Sequence, residues 1–198
     1  MIYGDKYTNY VTDSVDIYVY GYVFNYLDLS NVNVKVADNT LSNLNVKAYL
    51  SGASKLEANS ITTKELNLDV SGTSTINIEE VASENLKIVA SGASRVNINN
   101  GKVINLNINE SGATMIASLA TVNKLSLSIS GASYANFFGA TVYNGEAIIS
   151  GASKVKLTFM QSFIVSLSGA SKLEYYTLNG NLDVVSNTGA SSCVNITK

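Results

Sequence analysis

Histidine, proline and tryptophan are absent from this 198-residue chain, and cysteine and arginine occur once each, as Cys193 and Arg95. Without histidine the commonest general acid/base and metal ligand is lost, which excludes Ser-His-Asp triads, HExxH sites and histidine-bound zinc together. One cysteine forms neither an internal disulfide nor a cysteine-rich metal site, and it leaves the redox compartment open. Charged residues make up only 14%, with 13 Lys and Arg against 15 Asp and Glu. The basic stripe that a nucleic-acid partner would need is missing. No apolar run is long enough to span a membrane, and no basic n-region with an apolar segment marks an export signal after Met1.

What the chain does have is a repeated tetrapeptide. Ser-Gly-Ala-Ser or a close variant begins at Ser51, Ser71, Ser91, Ser111, Ser130, Ser150, Ser168 and Thr188. Its glycines (Gly52, Gly72, Gly92, Gly112, Gly131, Gly151, Gly169 and Gly189) recur at 18 to 20 residues. After each corner, apolar residues alternate with polar ones, as at Leu56 and Ala58 or Ile76 and Ile78. A second alternating run precedes the next corner, as in Leu66-x-Leu68-x-Val70 or Leu125-x-Leu127-x-Ile129. Period-two alternation means strands, and a period near 20 is too short for a helix-containing repeat. The expected fold is all-β: a parallel β-solenoid of eight or nine coils stacked roughly 4.8 Å apart, each burying apolar side chains that it could not bury alone. Glycine suits a corner that needs positive φ, and the flanking serine hydroxyls can satisfy the backbone there. Eight recurring corner serines without a base are turns, not nucleophiles.

Residues 1–31 form a separate tyrosine-rich segment before the solenoid of residues 32–198. From Asp16 to Leu29 strict alternation predicts one strand, apolar on both faces, with Tyr18, Tyr20, Tyr22 and Tyr26 on one side. Its role is to cap the open end of the solenoid or to pair with another copy, and those tyrosines are the candidate contacts for a partner or a glycan. Leu29 to Leu50 alternates like a first coil but lacks the glycine turn.

Corners of the form S-G-[AS]-[SG]-x-[LIV], each preceded by [LIV]-x-[LIV]-x-[LIV], resemble the auto-transporter adhesin head GIN domain family of bacterial surface proteins, over about Leu41 to Ile196. The resemblance implies a right-handed, pectin-lyase-like β-helix, an extracellular or cell-surface location and an adhesive role without enzymatic activity.

Stacked coils give an outward column of Lys55, Thr75, Arg95, Met115, Tyr134, Lys154 and Lys172, beside one of Glu57, Asn77, Asn97, Ala117, Asn136, Lys156 and Glu174. A polysaccharide-cleaving site needs two carboxylates at matched distance, or a base with a charge partner. These columns read instead as a solvated face able to bind acidic glycans weakly. Glu65, Glu79, Glu80 and Glu84 lack the Asp-x-Asp-x-Asp-Gly spacing of a calcium loop. Asn97, Asn99, Asn105, Asn107 and Asn109 are placed to form amide ladders, and Cys193 occupies a core position. Neither catalytic residues nor a cofactor or metal is expected. The expected function is a structural or adhesive module whose partner is a cell-surface glycan or a second copy of the chain. The alternative is a filament or phage-fibre subunit joined through the N-terminal strand and the last coil, and a lyase or hydrolase ranks last.

Overall fold

The structure is a computed structural model that describes residues 16–19, 25–36 and 41–196. Every described element is a strand, and every pairing between strands is parallel. The strands build a β-solenoid of about eight turns. Three successive coils carry one unbroken strand each: β5 (Lys55–Val70), β6 (Thr75–Ala90) and β7 (Arg95–Glu110). The next coil is split into β8 (Met115–Ser118) and β9 (Thr121–Ile129), followed by β10 (Tyr134–Ile149) and β11 (Lys154–Leu167). The last coils hold β12 (Lys172–Tyr176), β13 (Asn181–Asn187) and β14 (Ser192–Asn195).

Each long strand bends twice. In β5 the buried residues are Leu56, Ala58, Ile61, Thr63, Leu66, Leu68 and Val70, so the two-residue step stretches to three after Ala58 and after Thr63. Asn59 and Lys64, at those stretches, drop out of the ladder with β6, whereas their neighbours stay in register. A step of three puts two successive side chains outside, which is how a strand turns a corner without losing its inward row. The loose segment expected between two strands is therefore a short side of its own. Inside, Leu56, Ile61, Leu66 and Leu68 lie directly beneath Ile76, Val81, Leu86 and Ile88, all at most 2% exposed.

All eight repeat glycines take φ between 66° and 89°. Positive φ is only half of the requirement, because a Cβ on Gly72 would lie 2.4 Å from the carbonyl oxygen of Gly52 one coil below. That same carbonyl accepts the Thr73 amide at 2.8 Å, so the corners themselves form a ladder. In every corner but the last, where Ser191 is only half-buried, the fourth residue is buried, as at Ser54, Ser74, Ser94, Ser133, Ser153 and Ser171. Ser54 Oγ donates to the Ser51 carbonyl at 2.8 Å.

The tyrosine-rich segment departs from the expected single strand. Its described residues form β1 (Asp16–Val19) and β2 (Tyr26–Ser30), which stack in parallel on β3 (Asn33–Val36) and β4 (Leu41–Ser51). The described part of residues 1–31 thus adds coil layers to the solenoid. The corner without glycine is made by Asn31, which takes φ 55°. Asparagine tolerates this region better than other side-chain-bearing residues. Its Oδ1 accepts the Ala53 amide at 3.0 Å, replacing the glycine carbonyl that does this in the later corners.

Candidate binding face

The side of the solenoid that follows the corners carries two outward columns in continuous register. Register places Lys55, Thr75, Arg95, Met115, Tyr134, Lys154 and Lys172 in one continuous outward column. Glu57, Asn77, Asn97, Ala117, Asn136, Lys156 and Glu174 form the adjacent column. Its two ends are ionic and its middle is neutral. Glu57 pairs with Lys55, and that hydrogen bond lowers its carboxyl below the usual range. At the other end Glu174 meets Lys172 at 2.8 Å, Lys154 at 3.0 Å and Lys156 at 3.8 Å. The hydrogen bonds from Lys172 and Lys154 hold its carboxyl at about 2.

At the Glu57 end lies an open groove of about 540 Å³, running from Lys35 to Leu119 past Glu57, Asn59, Asn77, Glu79, Asn97 and Asn99. Three of its amides, Asn77, Asn97 and Asn99, are held by neighbours one coil away. Asn97 Nδ2 donates to Asn77 Oδ1 at 2.8 Å, and Asn99 Nδ2 donates to Glu79 Oε2 at 2.8 Å. A further rung, Asn105 to Asn85 at 2.9 Å, lies round the bend. Such rungs leave each amide a spare donor or acceptor pointing outward in a fixed place. Leu119, 56% exposed, closes the groove where the strand breaks between β8 and β9.

The described tyrosines among the contacts expected from the sequence, Tyr18 and Tyr26, are not brought together. Tyr20 and Tyr22 lie outside the described residues. Tyr18 occupies the register position beside Lys35, one coil beyond the end of the groove. Tyr26 is exposed on a different side, with its ring 5.6 Å from that of Tyr49. Cys193 is half-buried against the core, and burial raises its thiol pKa. Among the described residues, no group of three or more Cys, Asp or Glu side chains is placed to hold a metal ion. No helix among them is long and apolar enough to cross a membrane.

One residue escaped the sequence reading altogether. Glu110, 3% exposed, ends β7 at an inward position held by Val70 and Ala90 in the two preceding coils. The signal was present: Leu106-x-Ile108-x-Glu110 breaks the apolar triplet, and the break coincides with the Ser-to-Thr change at Thr114 in the next corner. Thr114 Oγ1 lies 2.8 Å from Glu110 Oε2, while Oε1 is buried without a partner. Burial raises this carboxyl to about 7.

No curated protein and no solved structure gives a significant match to the sequence. A family model does match, over residues 5–179, nearly the whole solenoid together with the tyrosine-rich start. Corner ladder, parallel register and sequence match converge, and the chain belongs to the family described as "Putative auto-transporter adhesin, head GIN domain".

Proposed function

We propose that this protein is a non-enzymatic adhesion module of the cell exterior, and that the amide-lined groove after the corners is where it meets a cell-surface glycan. The groove carries the reading. Asn77, Asn97 and Asn99 are fixed by coil-to-coil hydrogen bonds, so they present donors and acceptors without first losing side-chain freedom. Sugar hydroxyls both donate and accept, which matches planar amides. Formal charge in the groove nearly cancels, with Lys35 set against Glu57 and Glu79, and Glu57 already engaged by Lys55. That balance favours a neutral glycan over a polyanion.

The groove is open, so each contact competes with water and contributes about 1 kcal/mol. Four such contacts give a Kd on the order of 1 mM, and adhesion then depends on many copies acting together. The test is a glycan array probed with the protein clustered on beads, beside an Asn97→Leu variant. Retention on neutral glycans that Asn97→Leu abolishes supports the reading; an empty array overturns it.

A second reading, association of copies edge to edge, has one observation in its favour. Among the described strands β13 pairs only with β11 and β14 only with β12, so each has one backbone edge without a partner strand. Light scattering that finds a single monomeric mass at high concentration counts against it.

A further inference from the structure

We propose that Glu110 is a proton-operated lock on the corner at Gly112, holding the middle of the solenoid closed as a neutral acid and loosening that corner when it ionises. The inference rests on a hydrogen count. Ser133 Oγ lies 2.9 Å from the Ser130 carbonyl and 3.4 Å from that of Gly112; both can only accept, so the Ser133 hydrogen is committed to a carbonyl, the nearer being that of Ser130. Thr114 Oγ1 lies 2.9 Å from Ser133 Oγ, and this contact therefore takes the Thr114 hydrogen. A hydroxyl has one hydrogen, so the 2.8 Å contact between Thr114 Oγ1 and Glu110 Oε2 needs a hydrogen from the carboxyl. The chain runs one way, Glu110 to Thr114 to Ser133 to the Ser130 carbonyl, and it is complete only when Glu110 is protonated.

Ionisation breaks the chain somewhere. Thr114 must turn toward the carboxylate, and then either Ser133 leaves the Ser130 carbonyl or the contact between the two hydroxyls is empty. Oε1, already without a partner, becomes part of a buried charge. Apart from the Thr114 hydroxyl, whose hydrogen bond favours the ionised form, no charged group among the described residues faces it from the flanking strands. The inward residues of the flanking strands are Ile88 and Ala90 on β6 and Leu127 and Ile129 on β9, none of them titratable. The other charged residues of β6, β7, β9 and β10, namely Glu79, Glu80, Glu84, Lys87, Arg95, Lys102, Lys124 and Glu146, are exposed rather than inward. Ala90 gives the carboxyl its room, since it sits directly below in a column that otherwise holds Val70, Ile129 and Ile149. The corner concerned is also the irregular one: its coil is split between β8 and β9 and is one residue shorter than the three before it.

The direction of the pH effect follows. The carboxyl stands at about 7 in the folded chain, against an ordinary 4.5, so folding takes up a proton between these values. Stability is full below 4.5 and falls as pH rises through 7. Glu57 and Glu174, both lowered, titrate below this window, whereas Tyr175 and Cys193, both raised, titrate above it.

The experiment is chemical denaturation of the full chain at pH 5 and pH 8, for the native protein and for Glu110→Gln. The amide can donate to Thr114 as the neutral acid does, but it cannot ionise. In the native protein the folding equilibrium constant is expected to fall on the order of a hundredfold from pH 5 to pH 8, beyond any change seen in Glu110→Gln. Equal slopes for the two proteins overturn the proposal. An infrared measurement keeps it testable should Glu110→Gln fail to fold. The carboxylic-acid carbonyl band of a buried acid should be present at pH 5 and lost by pH 8 in the native protein, and its absence at pH 5 is equally fatal.

Discussion

The coils from Lys55 to Glu110 and those from Tyr134 to Asn187 reach the same outline by different means. In the first region β5, β6 and β7 have equal lengths, and their ladders run without a register shift. Most inward columns are aliphatic, Leu66 over Leu86 over Leu106 for example, with Thr63 and Ser83 in one column and Glu110 in another as the polar exceptions. In the second region β11 is two residues shorter than β10, and the ladder between them slips between Phe137 and Val142 and again before Asn144. The core turns aromatic where the chain shortens. Phe137, Phe159 and Phe163 are fully buried, with Phe159 and Phe163 ring centroids 5.6 Å apart. The leucine column continues there as Leu125, Gly145 and Phe163. A Cβ on Gly145 would stand 2.3 Å from the Leu125 carbonyl oxygen of the preceding coil and 2.6 Å from Cε2 of Phe163, so the glycine makes room for both the backbone below and the ring above. A regular coil can be copied, but a shortened one has to be repacked as a unit.

The corners are the device that both regions share, and breaking one should cost most. Gly72 and Gly151 have φ of 71° and 72°, and at each an added Cβ meets the glycine carbonyl of the preceding coil at 2.4 Å. Alanine brings a left-handed penalty of about 1–2 kcal/mol and must also push two coils apart. Gly72→Ala and Gly151→Ala are each expected to lose more than about 4 kcal/mol in denaturant titrations, an unusually large effect for one methyl group. A much smaller loss at one of them would show that the two regions do not share the same corner.

Core changes should separate the regions. Phe163→Ala is expected to cost about 3–5 kcal/mol. Gly145→Ala should cost at least about 1–3 kcal/mol through overpacking, and when Phe163 is already leucine only the part due to the ring should be relieved, the clash with the Leu125 carbonyl remaining. A double-mutant cycle reads this coupling directly, and strict additivity would mean that Gly145 is not there for the ring.

The regular region was legible in the sequence because its period is the fold. Gly52, Gly72 and Gly92 fix the coil length, and alternating Leu, Ile and Val fix which side faces inward. Three things were not legible, each for a physical reason. Asn31 makes a corner with its side chain where glycine uses its backbone, so no glycine marks the turn. Gly145 is explained by Phe163 and by the Leu125 carbonyl, each one coil away, and a single coil read alone shows a gap. Glu110 looks like an ordinary surface acid until the columns are aligned and it falls in an aliphatic row. Of the candidate site, the columns of Lys55 and Glu57 and the stacking of Asn97 and Asn99 were legible, because they follow from the period. The groove was not, since its depth comes from where the strands bend and where Leu119 closes it.

The smallest expected effect tests whether rungs matter equally in both regions. Asn97 lies part-buried between in-register coils, and its bond to Asn77 spans two strands that are held parallel without a shift. Asn144 bonds to Gln161 at 2.8 Å and accepts from Ser162 at 2.9 Å, but on an exposed stretch just where the register slips. A rung between backbones that are already fixed needs little further ordering, whereas one across a slipped ladder must hold both side chains in place itself. Asn97→Ala is therefore expected to cost about 0.5–1.5 kcal/mol, within the range of a net hydrogen bond. Asn144→Ala should stay within about 0.5 kcal/mol, as exposed substitutions usually do. If thermal denaturation gave the reverse order, coil regularity would not be what makes a rung strong, and the amide groove would lose its claim to be preorganised.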